Sequence, residues 1–184
     1  MDSNTPQNFF SLVNRLRLAL SRFSLNLTGF TQPDCPPVLI ASPGGVASTA
    51  LIEHISRFVA TNSPGDRDGL KHTLYPPSNA QKVILITGEP REVASSIRRR
   101  GYLGIHSAKM GSPLGVLLWG DLQQKHFEKL VRSQQVNFST KPSGCLVLNY
   151  EEALESCEKI AVFLDLPLDD FCESFPPRRE RRAM

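Results

Sequence analysis

The 184 residues suit one domain, and 40% hydrophobic with 21% charged residues gives enough apolar surface to offset chain entropy, which excludes a disordered chain and two independent cores. A formal charge of +3 is too slight to mark a nucleic-acid binder, so no nucleic-acid partner is expected, although basic residues gather at Arg98, Arg99 and Arg100 and in the run Arg178-Arg179-Glu180-Arg181-Arg182. Four scattered cysteines, Cys35, Cys145, Cys157 and Cys172, form no CxxC pair and no Cys/His cluster of metal-binding spacing, so they read as free thiols in a reducing, cytoplasmic setting with no metal.

Residues 1–35 read as an N-terminal helix and a linker. The patch Phe9-Phe10-Ser11-Leu12-Val13 is cut short by Arg15 and Arg17, well below the ~20 apolar residues of a membrane span. No acidic residue lies between Asp2 and Asp34, a pattern shared by organelle transit peptides and amphipathic helices; the near-helical spacing of Leu12, Leu16, Leu18 and Phe23 favours the helix. After a turn at Thr31-Gln32-Pro33-Asp34, residues 37–41 predict a buried strand. Ser42-Pro43-Gly44-Gly45 turns the chain into a helical pattern of Leu51, Ile52, Ile55, Phe58 and Val59.

Polar residues 61–69 form a loop that leads to Leu70-Lys71-His72-Thr73-Leu74. Residues 82–87 are too uniformly apolar for an edge strand and predict the centre of a parallel sheet. Gly88-Glu89-Pro90 then opens a helix that ends near Gly101. A further helix is expected over 117–131, with Trp119 in the core or lining a pocket, then a third strand over 144–150 and a helix over 151–164. Strands alternating with helices predict a three-layer α/β/α fold with a mostly parallel sheet, spanning residues 36–168 and followed by a basic tail at 169–184.

The turn after the first strand carries the chemistry. A helix N-terminus leaves backbone N–H groups unpaired and bears partial positive charge, and glycines let the backbone approach an anion closely. Pro43, Gly44, Gly45, Val46, Ala47, Ser48 and Thr49 have that layout, with two hydroxyls in the first helical turn; a helix-capping turn without a ligand has the same pattern. The segment lacks the lysine of GxxxxGK[ST], and the strand over 83–86 ends without a metal-binding Asp, which disfavours a nucleotide kinase or ATPase. GxGxxG is absent too.

In their order, the motifs resemble those of the sulfotransferases that use 3′-phosphoadenosine 5′-phosphosulfate. Residues 43–49 are similar, with one inserted residue, to the Pro-Lys-Ser-Gly-Thr-Thr type loop that holds the 5′-phosphosulfate. Lys71-His72-Thr73-Leu74 resembles the Lys-Thr-His-Leu type segment of the catalytic histidine and its helping lysine, one residue shorter between the two. Residues 83–96 resemble the 3′-phosphate segment, with Ser96 at the serine position and Gly88 in place of the arginine; Arg91 and Arg98 to Arg100 are the nearby cations. Val147-Leu148-Asn149-Tyr150-Glu151-Glu152 and Ile160-Ala161-Val162-Phe163-Leu164-Asp165-Leu166 are similar to the family's closing strand, Tyr-Glu pair and helix.

The resemblance covers about residues 36–168 and implies a P-loop NTPase-like sulfotransferase fold. It implies transfer of a sulfuryl group to a hydroxyl or amine of a small-molecule or glycan acceptor. His72 would be the catalytic base, Lys71 its helper, and residues 43–49 with Ser96 and Arg91 the donor site. The departures are the missing loop lysine, Gly88, and the lack of an aromatic surface at Ala50 and Leu51; they leave open a catalytically degenerate nucleotide- or anion-binding protein of the same fold. Residues 101–116, with Tyr102, Ile105 and Met110, are expected on the acceptor side, and His106 and His126 at the surface.

Overall fold

The three apolar runs form one small parallel sheet in which β1 (Val38–Ala41) and β3 (Cys145–Asn149) flank β2 (Lys82–Thr87). A computed structural model describes residues 35–45, 48–141 and 144–177. The helix expected before residue 35 and the arginine run after residue 177 lie outside the described residues. β2 pairs from Val38↔Lys82 to Ala41↔Leu85 on one side and from Val83↔Cys145 to Thr87↔Asn149 on the other. Its central position accounts for its unbroken apolar sequence, because a strand paired on both sides and covered on both faces has no position facing water.

Side chains alternate across the sheet. Val38, Ile40, Ile84, Ile86 and Leu148 pack under α1 (Ser48–Ile55) and α2 (Pro90–Arg99), together with residues of the later helices. Leu39, Ala41, Val83 and Leu85 face Leu70, Ala80 and Phe138 on the opposite side. The chain is thus an α/β protein with helices packed on a three-stranded parallel sheet.

β1 has a second edge that no strand among the described residues occupies, and its closure positions the site. After α1 the chain returns along that edge. Val38 donates its N–H to the Ala60 carbonyl at 3.4 Å, and the Asn62 amide then takes both main-chain groups of Ile40, accepting from its N–H at 2.8 Å and donating to its carbonyl at 3.0 Å. One side chain therefore does what a neighbouring strand would do for a buried edge. Further along, Ser42 donates to the Lys71 carbonyl at 2.8 Å, so residues 71 and 72 stand beside the end of β1.

In α2, Pro90 stands at the start, the Glu89 carboxylate caps Glu92 N–H at 2.8 Å, and Val93, Ala94 and Ile97 face inward. The helix expected over 117–131 is instead two elements, α4 (Leu114–Leu117) and α5 (Gly120–Ser139), after α3 (Leu103–Lys109). α5 buries Phe127, Val131, Gln134 and Phe138 at spacings of three and four, the inner stripe of an amphipathic helix. Trp119 is not in the core: it precedes α5 in extended conformation and is 71% exposed.

The helix expected over 151–164 is likewise divided into α6 (Tyr150–Ala153) and α7 (Cys157–Leu164). Ser156 donates its hydroxyl to the Glu152 carbonyl at 2.9 Å, a local bond of the kind by which serine interrupts a helical run. Packing continues past residue 168, because α8 (Leu168–Glu173) buries Phe171 in the main core, where His54, Phe58 and Phe175 surround it. The expectation of four free thiols is corrected: Cys157 and Cys172 form a disulfide between α7 and α8, with Cα atoms 5.7 Å apart. Their separation in sequence hid the pairing, since only the fold of α8 onto α7 brings them together. Cys35 and Cys145 are free thiols. No helix among the described residues is long and apolar enough to cross a membrane.

The bridge closes a separation of 15 residues, for which loop-closure entropy predicts about 3 kcal/mol. Cys172→Ser, or reduction of the native chain, is expected to lower the unfolding free energy by about that amount in urea titrations; an unchanged midpoint would show that Phe171 packing alone holds α8.

Candidate functional site

The turn between β1 and α1 places its glycines where side chains could not stand. Gly44 and Gly45 have φ of +110° and +73°, and a Cβ on Gly44 would overlap the His106 ring, while one on Gly45 would overlap the Arg100 guanidinium. Ser42 at the end of β1 is fully buried and shares a hydrogen bond with the Ser48 hydroxyl at 2.9 Å, tying the strand to the first residue of α1. Val46 and Ala47, expected at the site, lie outside the described residues.

Facing this turn is a cleft of about 330 Å³ lined by Gly45, Ser48, Thr49, Lys71, His72, Arg100, Tyr102 and His106. The sequence pointed to the first five of these as site residues, and the β1 edge brings them together. Pro43 and Gly44 are buried in the same turn. Ser96 stands one layer back, and its hydroxyl and carbonyl accept from the Arg100 guanidinium, each at 3.2 Å. Arg91 is exposed in the first turn of α2 and does not line the cleft, nor do Arg98 and Arg99.

Lys71 donates from Nζ to Thr49 Oγ1 at 2.6 Å and to the Pro64 carbonyl at 2.8 Å. Burial lowers its pKa, with the Asp66 carboxylate working the other way. Asp66, itself at φ +57°, accepts from Lys71 N–H at 3.0 Å and from Lys109 Nζ at 2.7 Å. This nearly inaccessible carboxylate fixes the backbone that presents Lys71 and His72.

His72 is 5% exposed, and its Nδ1 lies 2.8 Å from the Ser42 carbonyl. A carbonyl only accepts, so Nδ1 carries the proton and the neutral ring keeps its lone pair on Nε2. Burial lowers its pKa from 6.5 to about 4, against the opposing effects of Asp66 and the Ser42 bond. His106 meets it edge to face at a centroid distance of 4.6 Å. Its pKa falls to about 3, through burial first and then the positive charge that His72, Lys109 and Arg100 can present, against a hydrogen bond with the Pro43 backbone, and its Nδ1 has no hydrogen-bond partner among the described residues.

His106 corrects the expectation of a surface histidine. Residues 102 and 106 are one turn apart on α3 and its entry, so Tyr102 and His106 reach the same cleft, and the signal lay in that spacing. His126 is half-buried and bonded to the Ser112 hydroxyl at 2.8 Å. Of the other residues expected on the acceptor side, Met110 is in the core and Ile105 is half-buried outside the cleft lining. The assembled groups offer an anion two cations, two hydroxyls and the N-terminus of α1, and offer a proton an uncharged imidazole. Among the described residues, no cluster of three or more His, Cys, Asp or Glu could hold a metal ion.

Both cleft histidines are easier to protonate in the unfolded chain, so stability is complete above the unfolded pKa of 6.5 and is lost as pH falls toward the folded values of about 4 and about 3. Denaturant titrations are expected to show a slope between pH 6.5 and 4 that flattens in His72→Asn, and one reaching to pH 3 that flattens in His106→Asn; unchanged slopes would contradict burial of the neutral rings. Comparison of the chain with protein-family models, with curated proteins and with solved structures gave no match.

Proposed function

We propose that the chain is a sulfotransferase-like enzyme of P-loop-like three-layer fold. It would transfer a sulfuryl group from 3′-phosphoadenosine 5′-phosphosulfate to a hydroxyl or amine of a small-molecule or glycan acceptor. The observation that carries the reading is the meeting of Lys71 and His72 with Ser48 and Thr49 in one cleft, although 22 residues separate Thr49 from Lys71. Lys71 brings to Thr49 the ammonium group that the loop sequence lacks.

In this reading the acceptor oxygen or nitrogen bonds to sulfur as the bond from sulfur to the bridging phosphate oxygen breaks, and the acceptor proton passes to His72 Nε2. Its ring is held for that task by the Ser42 carbonyl, and an anion in the cleft would raise its low pKa toward working pH. Lys71 and the Ser48 and Thr49 hydroxyls would neutralise charge on the sulfuryl and leaving oxygens. At the 3′-phosphate end, a Cβ at residue 88 would lie 2.7 Å from Tyr150 Cδ1, so the Tyr150 ring leaves no room for the family's arginine. Arg100, bonded to Ser96, is the cation available in its place.

Gly88 and the weakly basic His72 favour a second reading, a catalytically degenerate anion- or nucleotide-binding protein of the same fold. Calorimetric titration with 3′-phosphoadenosine 5′-phosphate, in parallel with ATP and magnesium, distinguishes the readings. Micromolar binding of the former is expected, weakened about tenfold or more by Ser48→Ala or Arg100→Gln. His72→Asn is expected to keep that affinity and to lower turnover by about 10²- to 10⁴-fold in an acceptor screen. Donor-product binding without turnover would select the degenerate protein, and no binding of the donor product would refute the sulfotransferase reading.

A further inference from the structure

Four large apolar side chains are exposed close together in sequence where α4 passes into α5: Leu114 at 52%, Leu117 at 56%, Trp119 at 71% and Leu122 at 67%. Leu114 and Leu117 are one turn apart on α4, and Leu122 lies in the first turn of α5. No core demands them, since α4 buries Gly115 and Val116 and α5 buries the stripe that begins at Phe127. Large exposed apolar clusters of this kind mark contact surfaces.

α5 is basic along the line that Leu122 begins. Lys125, Lys129 and Arg132 follow Leu122 at spacings of three, four and three, which puts them along one exposed stripe of α5. None of the three has an ion-pair partner among the described residues. The nearby acids are engaged elsewhere, Asp121 by Arg98 at 2.7 Å and Glu128 by the Gln124 amide at 3.1 Å.

We infer that this face docks on the surface of an anionic lipid bilayer, with Trp119, Leu114, Leu117 and Leu122 entering the headgroup region and the α5 stripe lying over the lipid charges. Exposed tryptophan and leucine beside lysine and arginine are what an interface of mixed apolar and anionic character rewards. Charge argues against two other occupants. A second copy presenting the same face would set three cations against three. The chain's own first 34 residues contain Arg15, Arg17 and Arg22 and no acid between Asp2 and Asp34, so they too would meet the stripe with like charge. A purely acidic protein or a nucleic acid would pair with the stripe but leave the apolar cluster in water.

Trp119 is the chain's one tryptophan, so its fluorescence reads the contact directly. Phosphatidylcholine vesicles with and without phosphatidylserine would be added to the full chain at low and physiological salt, with co-sedimentation in parallel. The expected result is an emission shift to shorter wavelength with the anionic vesicles alone, weakened by salt, and quenching by lipids brominated near the headgroups. At about fivefold per cation, Lys125→Glu with Lys129→Glu is expected to weaken binding by at least about 25-fold. Trp119→Ala with Leu122→Ser should also reduce sedimentation, and circular dichroism would check that both variants fold.

Absence of shift and sedimentation with anionic vesicles overturns the proposal. So does emission already at short wavelength in free protein and unmoved by vesicles, which would show the cluster covered by the chain itself. A shift that depends on protein concentration without lipid would assign the face to self-association, and binding to polyglutamate or RNA but not to vesicles would assign the stripe to an acidic polymer.

Discussion

The main-chain groups of β1 that face away from β2 have to be satisfied, and the way they are satisfied determines the rest of the cleft. Asn62 closes Ile40 with both atoms of its amide, and the Lys71 carbonyl closes Ser42. Between these two anchors the chain makes the Asp66 turn, whose carboxylate is pinned by Lys109 and by Lys71 N–H. A buried edge with unpaired N–H or C=O groups would cost a desolvation penalty at each position. The same bonds that avoid that cost deliver Lys71 and His72 to the turn before α1.

Around that turn the electrostatics divide into two kinds. Arg100, at the mouth, keeps contact with water, and Lys71, though buried, is stabilised as a cation by Asp66. The two imidazoles are held uncharged by burial and by the neighbouring cations. The region therefore presents positive charge at fixed points and a lone pair at another, and a ligand that brought negative charge would offset the mutual repulsion of the cations while making the histidines more basic.

Much of this was legible in the residues and some was not, for physical reasons. Residues 82–87 announced a central strand because a strand covered on both faces leaves its mark at every position. The glycine turn after β1 was legible because positive φ nearly demands glycine. His106 was read as a surface residue and Arg100 only as one of a run of nearby cations, because their places at the cleft depend on where Gly44 and Gly45 leave space, which the one-turn spacing of Tyr102 and His106 hints at but does not fix. The Cys157–Cys172 bridge was hidden for a similar reason, since the fold of α8 onto α7 is set by the burial of Phe171. Helix boundaries misled where Ser156 and the extended Trp119 interrupt an otherwise continuous apolar pattern.

The order of the strands also bears on how the protein acquires its shape. Every strand pair among the described residues is parallel, and the partners Val38 and Lys82, or Val83 and Cys145, are far apart in the chain. No hairpin joins these three strands, so their assembly waits on long-range encounters and is expected to be slow beside that of a helical bundle. The residues that line the cleft are all synthesised by position 106, yet β2 lacks its second neighbour until residue 145 has emerged. During translation the cleft's components therefore exist for a time beside an apolar strand edge that has no cover, the interval in which this chain is most exposed to mispairing.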